Sequence, residues 1–343
     1  MTGRSAGGQG ARRLARAVER LEAVLQGLGA AILAMLFLVV MAAVIRRYLF
    51  GGGFVWSDEL AIWLLVALIA VGAPLAMTGV LSMRLDVLVR LLPPVWRRLA
   101  DALAGGIAVQ GALVLAFGGA GVAMLVGGTS TVLGLPEWLR FAAFAVGGGM
   151  VVLVLTLHAA LDRGWPDALA ALLLGVCFYG LTQFSTGLLL ATPSLAAALL
   201  AAAGLLLGAP LPLALLAGSS IAGAFGGLLP EPAIVQNTVA GVSKFLLLAI
   251  PFFLLAGELL TSGGLAERLV RFAAALVGHR RAGLAQTALV SSVLFSGASG
   301  SSVANAAFGA KVMAPTLVAR GYPPAHAAAI VAGVSMLDNI IPP

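Results

Sequence analysis

The sequence predicts an all-α polytopic membrane protein, on three observations. The 343 residues are 61% hydrophobic and only 10% charged, against roughly 25% charged in soluble domains. The mean hydropathy is +1.08, and the apolar residues fall in runs long enough to cross a bilayer. One such run, Leu284 to Val318, is interrupted by Ser296-Gly297-Ala298-Ser299-Gly300-Ser301-Ser302 and then Asn305. Glycine and serine at this density loosen a helix. Backbone groups left unpaired at membrane depth are costly unless protein or a water-filled cavity satisfies them. A polar break inside an apolar segment therefore points to a transport site.

The elements follow in order. Met1 to Glu22 is a basic, Gly-rich arm with no small-residue cleavage site, so it reads as a cytoplasmic tail and not a signal peptide. Val24 to Ile45 is a first span, stopped by Arg46-Arg47-Tyr48. Trp56, Asp58 and Glu59 open a second, with acids where the helix dipole favours them. Met83 to Leu92 alternates charged and apolar residues and predicts a short interfacial helix ending at Pro93-Pro94. Spans three and four cover about 102–126 and 138–158. Their glycines (Gly105, Gly106, Gly118, Gly119, and Gly147 to Gly149) allow close helix packing.

Asp162-Arg163-Gly164-Trp165-Pro166-Asp167 is the clearest boundary. A fifth span, about 168–191, comes next. Gly208-Ala209-Pro210 then cuts an apolar block into two short helices. Glu231 to Val242 reads as interfacial, and Lys244 to Leu260 as a span holding a buried-looking Glu258. Gly264 to Val277 is amphipathic. The last helix, about 325–337, loosens at Asp338-Asn339 and stops at Pro342-Pro343.

Charge and side-chain inventory exclude several classes. The net charge of +7 follows from Lys and Arg near helix ends, so no nucleic-acid partner is needed. Cys177 is the one cysteine, which excludes an internal disulfide and a Cys-based metal site. His158, His279 and His326 have no ligand-spaced partner. No nucleophile–base pair is legible, which argues against an enzyme. With the N-terminus inside, Arg4, Arg12, Arg13, Arg16, Arg20, Arg84, Arg90, Arg97, Arg98 and Arg163 fall in cytoplasmic segments; only Arg46, Arg47 and Arg140 fall outside. Continuing that count puts both flanks of Leu284 to Val318 inside, which suits a re-entrant hairpin better than a single crossing.

The hairpin tip presents carbonyls, hydroxyls and helix N-termini. Carbonyl and hydroxyl oxygens suit a hard monovalent cation, and helix N-termini suit a substrate carboxylate. Ser335, Asp338 and Asn339 form a second break. Asp338 is the sharpest single residue there, since an acid near the bilayer interior is costly. Trp56, with Trp96, Trp138 and Trp165, fits an aromatic belt. The same small polar residues also serve tight packing, and that reading stays open on the residues alone.

These motifs resemble the membrane subunits of tripartite ATP-independent periplasmic (TRAP) transporters. Residues 1–163 resemble the small four-helix subunit through Arg47-Tyr48-Leu49-Phe50, Trp56-Ser57-Asp58-Glu59-Leu60, Arg84-Leu85-Asp86-Val87 and Leu91-Leu92-Pro93-Pro94. Residues 194–343 resemble the front half of the large subunit. There the match runs through Leu248-Ala249-Ile250-Pro251-Phe252-Phe253, Ala256-Gly257-Glu258-Leu259, Ser299-Gly300-Ser301-Ser302-Val303-Ala304-Asn305 and Ile341-Pro342-Pro343. Residues 164–193 resemble the connecting helix of fused versions.

The resemblance implies secondary active, sodium-coupled uptake of an organic anion such as a dicarboxylate or sialic acid. A periplasmic substrate-binding protein would deliver it, and an elevator-type motion would carry it across a bacterial inner membrane. The large-subunit portion would be a first inverted repeat with its re-entrant hairpin at about 284–318. Sodium would be held by Ser296, Ser299, Gly300, Ser335, Asp338 and Asn339, with no organic cofactor. Substrate would meet Ser301, Ser302 and Asn305, while Arg47, Trp56, Glu59 and Glu258 would be structural or subunit-interface residues. The family often has Asp where this chain has Asn305, and a Gly-rich turn where it has Asp338-Asn339. The chain ends at Pro343, where the resemblance places the end of the first repeat. That looks like a truncation, and the expectation is that this polypeptide alone does not transport. A non-transporting scaffold is the alternative. It predicts tolerance at Ser299 and Asn305 with sensitivity at Arg47 and Glu59.

Overall fold

A computed structural model describes residues 5–77, 82, 84, 85, 87–184, 193–226, 230–299 and 302–341. Among them there is no β-strand, and five helices are long and apolar enough to cross a membrane. The chain is thus a multi-pass, all-α membrane protein. It divides into two compact units, Met1–Lys244 and Phe245–Pro343.

The first unit opens with α1 (Ser5–Leu49), a single helix of 45 residues. At 1.5 Å per residue it is about 68 Å long, roughly twice a bilayer's hydrocarbon thickness. From Ser5 onward the basic arm is therefore helical and continuous with the first span. Val18, Leu25 and Leu36 lie on one buried face and hold α1 along its length. In α2 (Ser57–Ala76), Ser57 Oγ donates to Phe54 O at 2.8 Å, and Asp58 and Glu59 fill the first turn. Of the expected interfacial helix Met83 to Leu92, the helical part among the described residues is α3 (Val87–Arg90).

The third span is α4 (Pro94–Leu113), a π-helical segment Val114–Gly118 and α5 (Gly119–Leu125). Pro94 starts α4 where its missing N–H costs no hydrogen bond. The fourth and fifth spans are α6 (Trp138–Asp162) and α7 (Trp165–Phe184), separated by Gly164 at φ 99°. Then come α8 (Pro193–Leu206), α9 (Leu211–Gly226) and α10 (Glu231–Val242).

The glycines bring these helices together. A Cβ on Gly148 would lie 2.7 Å from Ala116 N, and one on Gly147 would lie 2.8 Å from Ala70 O. Gly149, expected to share that role, faces open space. Other close approaches escaped the sequence reading, among them Gly111 against the Leu213 backbone of α9 and Gly175 against Val109. Val66, Val114, Val122, Phe144, Val235 and Val239 then close the core, which draws α10 onto the middle of the bundle. Dispersion between closely fitted surfaces holds such a bundle where lipid offers no hydrophobic contrast.

The second unit contains a 3-10 turn Phe245–Leu248, α11 (Ala249–Ser262) and α12 (Leu265–Val277). Next are α13 (Gly283–Ser299), α14 (Ser302–Phe308), a π segment Gly309–Met313 and α15 (Ala314–Ala319). It ends with α16 (Pro324–Ser335) and a 3-10 turn Met336–Asn339. The π segment has a local cause. Pro315 has no N–H to close onto Lys311, four residues earlier, so the helix widens there. Glu258, read as buried from its apolar neighbours, is exposed on α11.

Candidate functional site

The broken segment folds back on itself. α13 stops at Ser299 and α14 starts at Ser302; Gly300 and Ser301 lie outside the described residues. Phe295 stacks on Phe308 with centroids 4.9 Å apart. Asn305 Nδ2 donates to Ser292 Oγ at 2.6 Å and approaches Ser292 O at 3.4 Å. Ala288 packs with Met313. The two numbers of each pair add to nearly the same value, the signature of a hairpin centred near residue 300.

α16 completes the site. Ser292 Oγ donates to Val334 O at 2.9 Å, so one hydroxyl links the hairpin stem to the helix end just before the second break. Both α13 and α14 also lie against the 3-10 turn Met336–Asn339. Gly309 permits this approach, since a Cβ there would lie 2.8 Å from Val331 Cγ1. The two breaks read from the sequence thus share one neighbourhood.

The assigned polar residues are placed as follows. Ser296 is wholly buried and donates to Val293 O at 2.7 Å. Ser335 is buried and donates to Ala332 O at 2.9 Å. A hydroxyl engaged in this way keeps lone pairs for a cation. Asn305 is buried and Ser302 half-buried. Ser299, Asp338 and Asn339 are fixed by their helical backbone, at the end of α13 and in the 3-10 turn, while their side chains lie outside the description.

Two residues belong here that the sequence reading missed. Ser292 is the hub of the contacts just given. Ser291 is buried, and its Oγ has no hydrogen-bond partner. Ser291, Ser292, Asn305 and Gly309 line a space of about 10 Å³, close to what one water needs. The signal was present: Ser292, Ser296 and Ser299 recur at i, i+4, i+7, one stripe of a helix. Among the described residues, no group of three His, Cys, Asp or Glu side chains is gathered for a metal ion. The donors here are hydroxyl, amide and backbone oxygens.

The residues assigned structural roles in the first unit are also resolved. Glu59 Oε2 accepts from Val132 N at 2.8 Å and Leu133 N at 3.2 Å, tying α2 to the loop before α6. Arg140 lies over the Trp63 ring at 4.4 Å beside it. Arg47 is exposed; its neighbour Arg46 makes the local contact, over Phe54 at 4.5 Å. Trp56 is partly exposed and packs against Phe54 at 5.1 Å. Glu59→Ala is expected to speed amide exchange at Val132 and Leu133 while α6 stays protected. Unchanged exchange at both amides would remove the latch role.

A second carboxylate latch had no sequence signal. Tyr179 OH donates to Glu231 Oε1 at 2.9 Å, and Gln183 Nε2 donates to Glu231 Oε2, fastening α7 to the start of α10. Glu231 lies 52 positions from Tyr179 and 48 from Gln183, so no local spacing announces the partnership.

Long apolar helices in one part of a chain and a helix broken at a polar turn in another are features of membrane permeases. Comparison with known families gives the particular one. The model described as "Tripartite ATP-independent periplasmic transporters, DctQ component" matches residues 36–164, and that of the "DctM component" matches residues 195–343. The chain belongs to the TRAP transporter family, with a DctQ-type portion followed by a DctM-type portion. A Pseudomonas aeruginosa protein, "C4-dicarboxylate TRAP transporter large permease protein DctM", is 48% identical over 99 residues, 29% of this chain and 23% of that protein. The Rhodobacter capsulatus protein of the same name is 38% identical over 114 residues, 33% of this chain and 26% of its own. The Escherichia coli "2,3-diketo-L-gulonate TRAP transporter large permease protein YiaN" is 39% identical over 110 residues, 32% and 26% of the two chains. The chain thus spans about a quarter of the length of these relatives.

Proposed function

We propose that this chain forms the front part of a sodium-coupled importer of small organic anions. One observation carries the reading: the Ser292 to Val334 bond brings the hairpin and the second helix break together. Free helix ends and hydroxyls meet there, as a site for an anion and a monovalent cation requires. Sodium would be held by Ser296, Ser299, Gly300, Ser335, Asp338 and Asn339, and would supply positive charge beside the substrate carboxylate. Ser301, Ser302 and Asn305 would meet the substrate. The orphaned Ser291 hydroxyl and the carboxylate-poor donor set beside it fit a singly charged ion.

The printed names of the relatives favour a carboxylate, a C4-dicarboxylate first. A periplasmic binding protein would deliver it to a permease in the bacterial inner membrane, with the N-terminus in the cytoplasm. Residues 1–163 would serve as the small subunit, 164–193 as the connector and 194–343 as the first large-subunit repeat. The compact unit 245–343 is what an elevator-type motion would carry.

The test joins this chain to the rest of a DctM-type subunit in liposomes, with its binding protein and labelled succinate. Uptake is expected to require an inward sodium gradient, and Asn305→Ala with Ser299→Ala is expected to lower it more than tenfold. Uptake that persists with choline in place of sodium would remove the coupling. Full uptake by the double variant would remove the site and leave the scaffold reading.

A further inference from the structure

His158 is placed so that both of its ring nitrogens meet an acceptor. Nδ1 lies 3.1 Å from Val154 O, one turn back on α6. Nε2 lies 3.2 Å from Glu22 Oε1 on α1. A carbonyl oxygen and a carboxylate only accept, so each nitrogen must carry a hydrogen for both contacts to hold. The ring that does so is the imidazolium. Neutral imidazole has one N–H and leaves a lone pair facing one of the two oxygens. Glu22 sits where this matters. Val18, Glu22 and Leu25 fall at i, i+4 and i+7, one stripe of α1. Val18 and Leu25 are buried, so the acid interrupts the seam by which α1 is held. About 26 Å of helix, Ser5 to Glu22, lies on the N-terminal side of it and carries the exposed Arg12, Arg13, Arg16 and Arg20.

The surroundings make His158 the group that changes charge. Its side chain is 27% exposed and lines a cavity of about 470 Å³, so protons reach it from water. Arg97 and Asp101 of α4 share that cavity, as do Asp162 and Arg163 of α6, and Arg84 and Arg90 from the segment before α4. Arg163 pairs with Asp101 at 3.3 Å. The end of α2 and the start of α7 contribute Met77, Ala168 and Ala171, none of them titratable. On α1, Glu19 and Arg20 precede Glu22 and are exposed. Carboxylates and guanidiniums ordinarily keep one charge between about pH 6 and 8, where histidine does not. His158 is the one histidine of the first unit.

We propose that His158 and Glu22 form a proton-operated clasp for the N-terminal arm of α1. With the ring charged and the carboxylate ionised, the arm is held to α6. When the ring gives up a proton, one oxygen loses its donor and the arm loosens, so docking weakens as pH rises. The clasp does not depend on the transport reading. Hydrogen exchange of the α1 amides ahead of Glu22 tests it, on the purified chain in detergent. The unaltered chain and Glu22→Gln are compared with each other at about pH 6 and again at about pH 8, so the intrinsic pH dependence of exchange cancels. Near pH 6 the unaltered arm is expected to exchange about two- to fivefold more slowly than the variant, as suits a partly exposed ion pair. Near pH 8 that ratio is expected to fall to about one. In a His158→Gln background, where the side chain cannot titrate, the effect of Glu22→Gln is expected to be the same at both pH values. Protection of the α4 amides reports that the variants are folded. A ratio in the unaltered background that does not change with pH, or one that changes equally in the His158→Gln background, would overturn the proposal.

Discussion

Gly111→Ala, the addition of one methyl group, is expected to be among the most damaging substitutions in the first unit. The new Cβ would meet the O, C and Cα atoms of Leu213, all backbone, with C and Cα at 3.0 Å. No side chain can rotate away, so α4 and α9 must separate. Separation opens the Ala108, Ala112, Val151 and Leu213 cluster, where α6 joins them. Overpacking costs about 1–3 kcal/mol in cores that can shift side chains, and this site is expected at the upper end. Gly149→Ala is the control. It is the same change in a neighbouring helix with nothing within 4 Å of the new atom. There the alanine is expected to be neutral or to stabilise by about 0.5–1 kcal/mol, because glycine is the poorer helix former. Melting of the two variants in detergent measures the difference. Equal melting temperatures would mean that α4 and α9 are not held at this distance.

These two glycines also show what the sequence could and could not give. Helix positions were legible because apolar run length, Pro and Gly breaks, and charged ends are local properties. The hairpin was legible for the same reason: too many small polar residues interrupt one apolar run. Which glycine meets a neighbour depends on which helix lies opposite. Gly147 and Gly149 look alike in sequence, yet one approaches Ala70 and the other faces open space. The partners of Asn305 and Glu231 were hidden likewise. Ser292 lies 13 residues from Asn305 across a turn, and Tyr179 lies 52 residues from Glu231. Glu258 misled because apolar neighbours were read as burial by protein. On a membrane helix such neighbours also face lipid.

Asn305→Asp is expected to convert the second unit into one whose stability depends on sodium. Asn305 donates through Nδ2 to Ser292 Oγ, and Ser292 Oγ is itself donating to Val334 O. An ionised aspartate has no proton to donate. Its oxygens would face the Ser292 hydroxyl and carbonyl oxygens at a residue that is 3% exposed, and the one proton there, that of Ser292, could turn to the carboxylate only by leaving Val334 O. Breaking the bond and burying an unpaired charge costs about 2 kcal/mol or more. A monovalent cation among those oxygens would offset the cost, since it replaces the missing donor with a charge of opposite sign. In choline buffer the variant is expected to melt well below the parent chain. In sodium most of that loss is expected to return, while the parent, with its neutral amide, shifts less. A deficit that is the same in both salts would mean that no sodium reaches Asn305. Asn305 would then keep only the substrate role proposed for it, and sodium would have to be held away from its side chain.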